Sequence, residues 1–234
     1  MTTLVDIAEH DTHVLLTMDD GKANALSFDM FDALNAGLDA AEKAEKVVVL
    51  TGRPGVFSAG FDLKIMGRMD ESTQRLLQAG AGLSQRLLNF PTPVVLAVSG
   101  HALAMGALLC LSADYRIGAR GDFKIGLNEV AIGMTLPWFG IELARDRLAD
   151  AHFGPCVGLA KICSPDDAVA AGFLDEAIDA DDAMARVEAT AAGLSKLDMP
   201  AHRASKARVR EVLTARLEEA LRRDFEGGEL AIGN

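Results

Sequence analysis

Apolar residues fall in clusters whose spacing changes along the chain. HVLLTMD (His13–Asp19) and VVVLTG (Val47–Gly52) are short, apolar and β-branched, and each ends in turn residues, the pattern of a strand. Between them Met30, Phe31, Leu34, Leu38 and Ala41 recur at helical spacing behind Ser27, an N-cap side chain. That spacing predicts an amphipathic helix from Ser27 to about Lys46. A second helix is predicted over roughly Glu71–Asn89, followed by a strand in PVVLAVSG (Pro93–Gly100) and another in DYRIGA (Asp114–Ala119). Strands alternating with helices predict an α/β fold.

After about Asp166 the pattern becomes mostly helical. DDAVAAGFLDEAID reads as a helix, a turn at Gly172 and a short strand. A helix over Ala183–Leu197 follows, then a longer one opening near Pro200, a residue suited to a first helical position. On that last helix Val212, Leu213, Leu217, Ala220 and Leu221 form an apolar stripe. Lys206, Arg208, Arg210, Arg216, Arg222 and Arg223 make it the basic part of the chain, either as a solvated face or as a subunit or phosphate contact. No internal repeat, low-complexity segment or long linker interrupts the pattern.

Composition narrows the partners. At 234 residues the chain suits one substantial domain, and its formal net charge of −11 argues against nucleic acid or an anionic membrane. A small anionic ligand held by a few local Lys or Arg residues remains compatible. Cys110, Cys156 and Cys163 are odd in number and form no CxxC, so buried, reduced thiols are expected. The start MTTLVDIAEHDTH lacks the basic and apolar regions of a signal peptide, and no apolar run reaches the ~18–20 residues of a membrane span. A cytoplasmic location is the expectation.

Two loop-to-helix turns carry the candidate chemistry. The first is FSAGFDLKIM (Phe57–Met66), directly after a strand; the second lies within SGHALAMGALLCLSAD (Ser99–Asp114). Each has a glycine that lets backbone approach closely, and each leads into a segment able to be helical, with free N–H groups at its start. Two such N–H groups converging on one point make an oxyanion hole. No His, Cys, Asp and Glu spacing suggests a metal site, and no phosphate-loop pattern is present.

Together the two turns closely resemble those of the crotonase superfamily, the enoyl-CoA hydratase/isomerase family. KANALS (Lys22–Ser27), FKIGLNEVAIGMTLP (Phe123–Pro137) and DAVAAGFLDEAI (Asp167–Ile178) resemble further family segments. The resemblance implies a ββα spiral core over residues 1–180 and a C-terminal helical trimerisation region over residues 181–234. It implies that Phe61 and Met105 donate the two oxyanion N–H groups. Lys22, Ala23, Ala59, Asp62 and Leu63 match positions that contact coenzyme A. No permanently bound cofactor is implied, because coenzyme A arrives as part of the acyl-CoA thioester substrate. A homotrimer or a dimer of trimers is expected. The closing FEGGELAIGN stands where family members often continue into a helix over the CoA site, so a shortened cap is expected.

One departure from the family shifts the expected chemistry. Hydratases of the family hold a water between two glutamates; here the first position is Leu108 and the second is Glu129. Leucine neither holds nor activates water. One carboxylate suffices to move a double bond from Δ3 to Δ2, by taking a proton from C2 and returning it at C4. The resemblance therefore points to an enoyl-CoA isomerase with Glu129 as its base. The alternatives are a hydratase or another crotonase reaction such as thioester hydrolysis, and a non-catalytic CoA-thioester-binding protein. His101 is expected to be packed and hydrogen-bonded, Asp62 to stabilise its loop, Asp114 to terminate a helix, and Trp138 to line the acyl pocket or fill core.

Overall fold

The computed structural model describes residues 3–226. Residues 1–2 and 227–234, and with them most of the expected shortened cap, lie outside the described residues. The chain opens with β1 (Val5–Glu9) and β2 (His13–Met18), an antiparallel hairpin. α1 (Phe28–Ala44) follows, and the Ser27 hydroxyl accepts from Met30 N–H at its start, as the sequence predicts. Next come β3 (Val47–Gly52), β4 (Gly55–Ser58), the short α2 (Leu63–Met66) and α3 (Glu71–Leu88).

β5 (Val94–Val98), β6 (Gly100–Leu103) and α4 (Met105–Ser112) repeat the strand–strand–helix order. β7 (Tyr115–Ala119) and β8 (Ile125–Gly126) begin a third round, completed by a single 3-10 turn at Val130–Ile132 and by α5 (Trp138–Arg147). α6 (Asp150–Gly158), α7 (Pro165–Ala171), β9 (Glu176–Ile178), α8 (Ala180–Leu194), α9 (Met199–Val209) and α10 (Glu211–Phe225) complete the described chain.

In each round the first strand joins one sheet and the second strand another. The larger sheet runs β1-β2-β3-β5-β7-β9 and the smaller runs β4-β6-β8. All pairings except β1 with β2 are parallel. This is the expected ββα core of an α/β fold. Every residue of β3 and β5 is buried. Val48, Leu50, Val94 and Leu96 face the main core, which includes α1 and α3, while Val47, Val49, Val95 and Ala97 meet Val187 and Ala191 of α8 on the other face. Alternate strand residues point to opposite faces, so a sheet covered on both sides reads as unbroken apolar runs.

The structure departs from the sequence expectations in several places. Pro93–Gly100, read as one strand, is the end of β5 in one sheet and the start of β6 in the other. β1 carries exposed Asp6, Ile7 and Glu9 as an edge strand, without an apolar run to announce it. α8 begins three residues earlier than predicted and packs on the sheet, so the boundary expected at residue 181 falls inside an element of the core.

The long helix expected from Pro200 is two helices, α9 and α10, divided at Arg210. The basic residues there are not one solvated face. Lys206 Nζ lies 2.6 Å from Asp114 Oδ2 and Arg210 Nη2 lies 2.7 Å from Asp114 Oδ1, both cations being buried. Arg210 also donates to Leu88 O. Of the predicted apolar stripe, Leu213, Leu217 and Ala220 are buried, whereas Val212 is exposed.

Candidate active site

The first turn is built by the segment that precedes α1. Asp20 accepts the N–H groups of Lys22, Asn24 and Ala25 at 2.7–3.0 Å. Asn24, buried and at φ 49°, donates through Nδ2 to Met18 O and Phe57 O. Ser58 Oγ donates to Asn24 O and accepts from Gly60 N–H. Ala59 N–H then donates to Ala23 O, Leu26 N–H to Gly60 O, and Asp62 N–H to Leu26 O, at 2.8–3.2 Å. The segment of the expected CoA-contacting residues Lys22 and Ala23 thus runs beside the first turn, with Ala23 bonded to Ala59 and Leu26 to Asp62 through backbone. Asp62 caps α2 by accepting from Lys64 N–H, the loop-stabilising role expected of it. Leu63, next along, is 69% exposed at the cavity mouth.

The second turn meets the first at Gly60. Its φ of +96° lies in the left-handed region, and a Cβ there would fall 2.8 Å from Ala104 Cβ and 3.2 Å from Met105 N, so only glycine allows this approach. Ala104 has φ 49° and ψ −121°, a sparsely populated conformation for a residue with a Cβ. It lets β6 turn sharply into α4, whose first residue is Met105. Among the described residues neither Phe61 N–H nor Met105 N–H donates to a protein acceptor. Both side chains also fill core: a Cβ on Gly80 of α3 would sit 2.6 Å from the Phe61 ring and 3.2 Å from Met105 Sδ.

The third segment brings the carboxylate. Glu129 follows β8 and leads into the 3-10 turn; its carbonyl accepts from Ile132 and Met134 N–H, at 3.1 and 2.9 Å, which closes the loop. A cavity of about 120 Å³ opens between the three segments. Its wall includes Ala59, Phe61 and Leu63 of the first turn, Ala104 and Leu108 of the second, and Asn128, Glu129 and Met134 of the third. Among the described residues Glu129 is its only ionisable lining side chain. The residue is 7% exposed, and its Oε2 has no hydrogen-bond partner among those residues. Burial pushes the carboxyl up to about 7, against a smaller opposing effect of its own backbone N–H. Leu108 forms the apolar wall where a second carboxylate would be needed for a glutamate pair.

The remaining candidates sort as follows. His101 accepts at Nδ1 from Lys124 N–H and meets the Phe123 ring edge-on, the packed role expected. Asp114 does more than follow α4: it accepts from Val94 N–H and anchors Lys206 and Arg210. Trp138 neither lines the cavity nor joins the core. It is 38% exposed under the Arg223 guanidinium, while the neighbouring Pro137 lines the cavity. All three cysteines are free and buried, and burial pushes the Cys110 and Cys163 thiols up to about 12. Asn128 is the residue that sequence reasoning passed over. It adjoins Glu129 in the chain, but nothing in its type or spacing marks its side chain as facing the cavity.

The sequence pattern of the enoyl-CoA hydratase/isomerase family matches residues 9–227. The chain belongs to that family. A crystal structure of an enoyl-CoA hydratase/isomerase family protein from Pseudomonas syringae is 45% identical, with a TM-score of 0.94 over 96% of this chain and 97% of that one. A probable enoyl-CoA hydratase of Bacillus subtilis (strain 168) is 28% identical over 174 residues, 73% of this chain and 67% of the relative. The human mitochondrial enoyl-CoA delta isomerase 1 is 29% identical over 199 residues, 83% of this chain and 66% of the relative. Relatives of similar closeness therefore carry names for both reactions.

Proposed function

We propose that the protein shifts the double bond of an enoyl-CoA from Δ3 to Δ2, with Glu129 as its single acid/base. The observation that carries this reading is the single buried carboxylate in a cavity walled by Leu108. The thioester carbonyl accepts from Phe61 and Met105 N–H, placed at a backbone turn and at the start of α4, where the helix dipole also favours negative charge. Each donor of this kind contributes roughly 10²–10³ in rate when charge develops on the oxygen. Glu129 takes a proton from C2, the dienolate forms with its charge on the thioester oxygen, and the same carboxyl returns the proton at C4. A pKa near 7 suits a group that must both accept and release a proton at neutral pH.

Lys22, Ala23, Ala59, Asp62 and Leu63 hold the coenzyme A portion in this reading, supported by the backbone bonds that bring the two segments side by side. The test is product analysis with 3-enoyl-CoA and 2-enoyl-CoA. The 3-enoyl ester should convert to the 2-enoyl ester, and Glu129→Gln should reduce that conversion by at least about 10²-fold while acyl-CoA still binds. Tight binding with no turnover of either ester would instead favour a non-catalytic CoA-thioester binder.

A further inference from the structure

The cavity that holds Glu129 has an open end and a closed one. Leu63 and Ile132 line it as exposed side chains, whereas Met66, Leu77 and Leu108 line it from within the main core. These three come from three different helices, α2, α3 and α4. The helices are fastened behind them. The buried Thr73 hydroxyl of α3 donates to Ile65 O at 2.9 Å, which ties α2 to α3. A Cβ on Gly140 of α5 would fall 3.3 Å from Leu108 Cδ1, so α5 closes in behind α4. The volume of about 120 Å³ then limits what fits between mouth and closed end. An apolar cavity of about 150 Å³ takes a benzene, six carbons, so by that measure this one holds roughly five.

We infer that the site selects short acyl chains, of four to six carbons, and that Leu77 is the specificity-determining side chain that stops their methyl end. The inference rests on the proposed placing of the thioester carbonyl at Phe61 and Met105 N–H, beside Glu129. Glu129 has to reach C2 and C4, so C2 to C4 occupy the part of the cavity next to it. About two further carbons then reach the closed end. Leu108 stands where a second carboxylate would face the reacting carbons, so it flanks them rather than ending the chain. Met66 is unbranched and adaptable, and yields more readily to a ligand. Leu77 is branched and buried within α3, and it gives least. A longer chain meets close-packed core there, and forcing methylenes into such packing is unfavourable.

The test measures binding of butyryl-, hexanoyl-, octanoyl- and decanoyl-CoA to the full chain by calorimetry, beside turnover of the 3-hexenoyl and 3-decenoyl esters. Hexanoyl-CoA should bind about 15-fold more tightly than butyryl-CoA, since each buried methylene contributes about fourfold. No further gain should follow at octanoyl or decanoyl. For the 3-decenoyl ester kcat/KM should lie at least about tenfold below that for the 3-hexenoyl ester. Leu77→Ala, which clears the closed end, should raise the octanoyl-to-hexanoyl affinity ratio by about 15-fold. Leu77→Val, a smaller cut, should raise it by about fourfold and serves where the Ala variant does not fold. Affinity that keeps climbing through decanoyl-CoA, or a ratio unmoved in the folded variants, overturns the inference. Binding that peaks at hexanoyl-CoA and shifts with Leu77 upholds it even where no 3-enoyl ester isomerises, a result that defeats the isomerase reading alone. Isomerisation with affinity climbing through decanoyl-CoA does the reverse, and no binding of any ester overturns both.

Discussion

At the scale of a residue, Glu129 is the costliest side chain the cavity contains. Its folded pKa of about 7 lies above the ordinary 4.5, so the folded state holds the proton more tightly than the unfolded one. Below pH 4.5 both states are protonated and the burial penalty is absent. Stability then falls as pH rises toward about 7, and above that the full cost, on the order of 3 kcal/mol, is present. Glu129→Gln, which never ionises, should melt above the wild type at about pH 8, and the gap should close below pH 4.5 in thermal scans. Activity should run the opposite way: kcat/KM for the double-bond shift should rise with pH through about 7, as the base loses its proton. A profile flat from pH 5 to 9 would count against Glu129 as the base.

At the scale of elements, one carboxylate ties the C-terminal helices to the core. Asp114 accepts from Val94 N–H on β5, from Lys206 in the last turn of α9 and from Arg210 at the α9–α10 break. Burial pushes the Lys206 ammonium down to about 8 against the opposing pull of Asp114, so the pair is desolvated. Asp114→Ala leaves two buried cations uncompensated, and denaturant unfolding should show a loss of about 3–5 kcal/mol. A second tie comes from Asp224 near the end of α10. It accepts from Trp138 and Phe139 N–H at 2.8 and 2.9 Å, capping α5, whose own N-cap position is Pro137. The sequence reading expected one long helix from Pro200 and could not find these ties, since Asp114 and Asp224 meet these helix partners 85 to 96 residues away.

At the scale of the whole molecule, the net charge of −11 is spread over a surface that also exposes Leu197, Val209 and Val212 at or near the C-terminal helices. Val209 is 82% exposed and Val212 62%, on opposite sides of the break at Arg210. The family resemblance leads us to propose that these helices associate between copies, and apolar side chains so placed support it. A solution mass of three or six chains should result, and Val212→Asp should lower it; a monomer at micromolar concentration would refute the proposal. Among the described residues no helix is long and apolar enough to cross a membrane.

Local order was legible wherever a residue's own pattern decided it. β3 and β5 announced themselves as apolar β-branched runs, and α1 by its apolar spacing and its Ser27 cap. The two glycine turns could be named from residue type and position, and Glu129 from the resemblance to the family. What the sequence by itself determined is therefore which backbone segments turn and which carboxylate is available. Tertiary structure decided that Gly60 and Ala104 touch, that Glu129 is buried beside Asn128, and that Lys206 and Arg210 are buried rather than solvated. The physical reason is that desolvation and unmet hydrogen bonds depend on what packs around a group, and at these sites the packing comes from parts of the chain far apart in sequence.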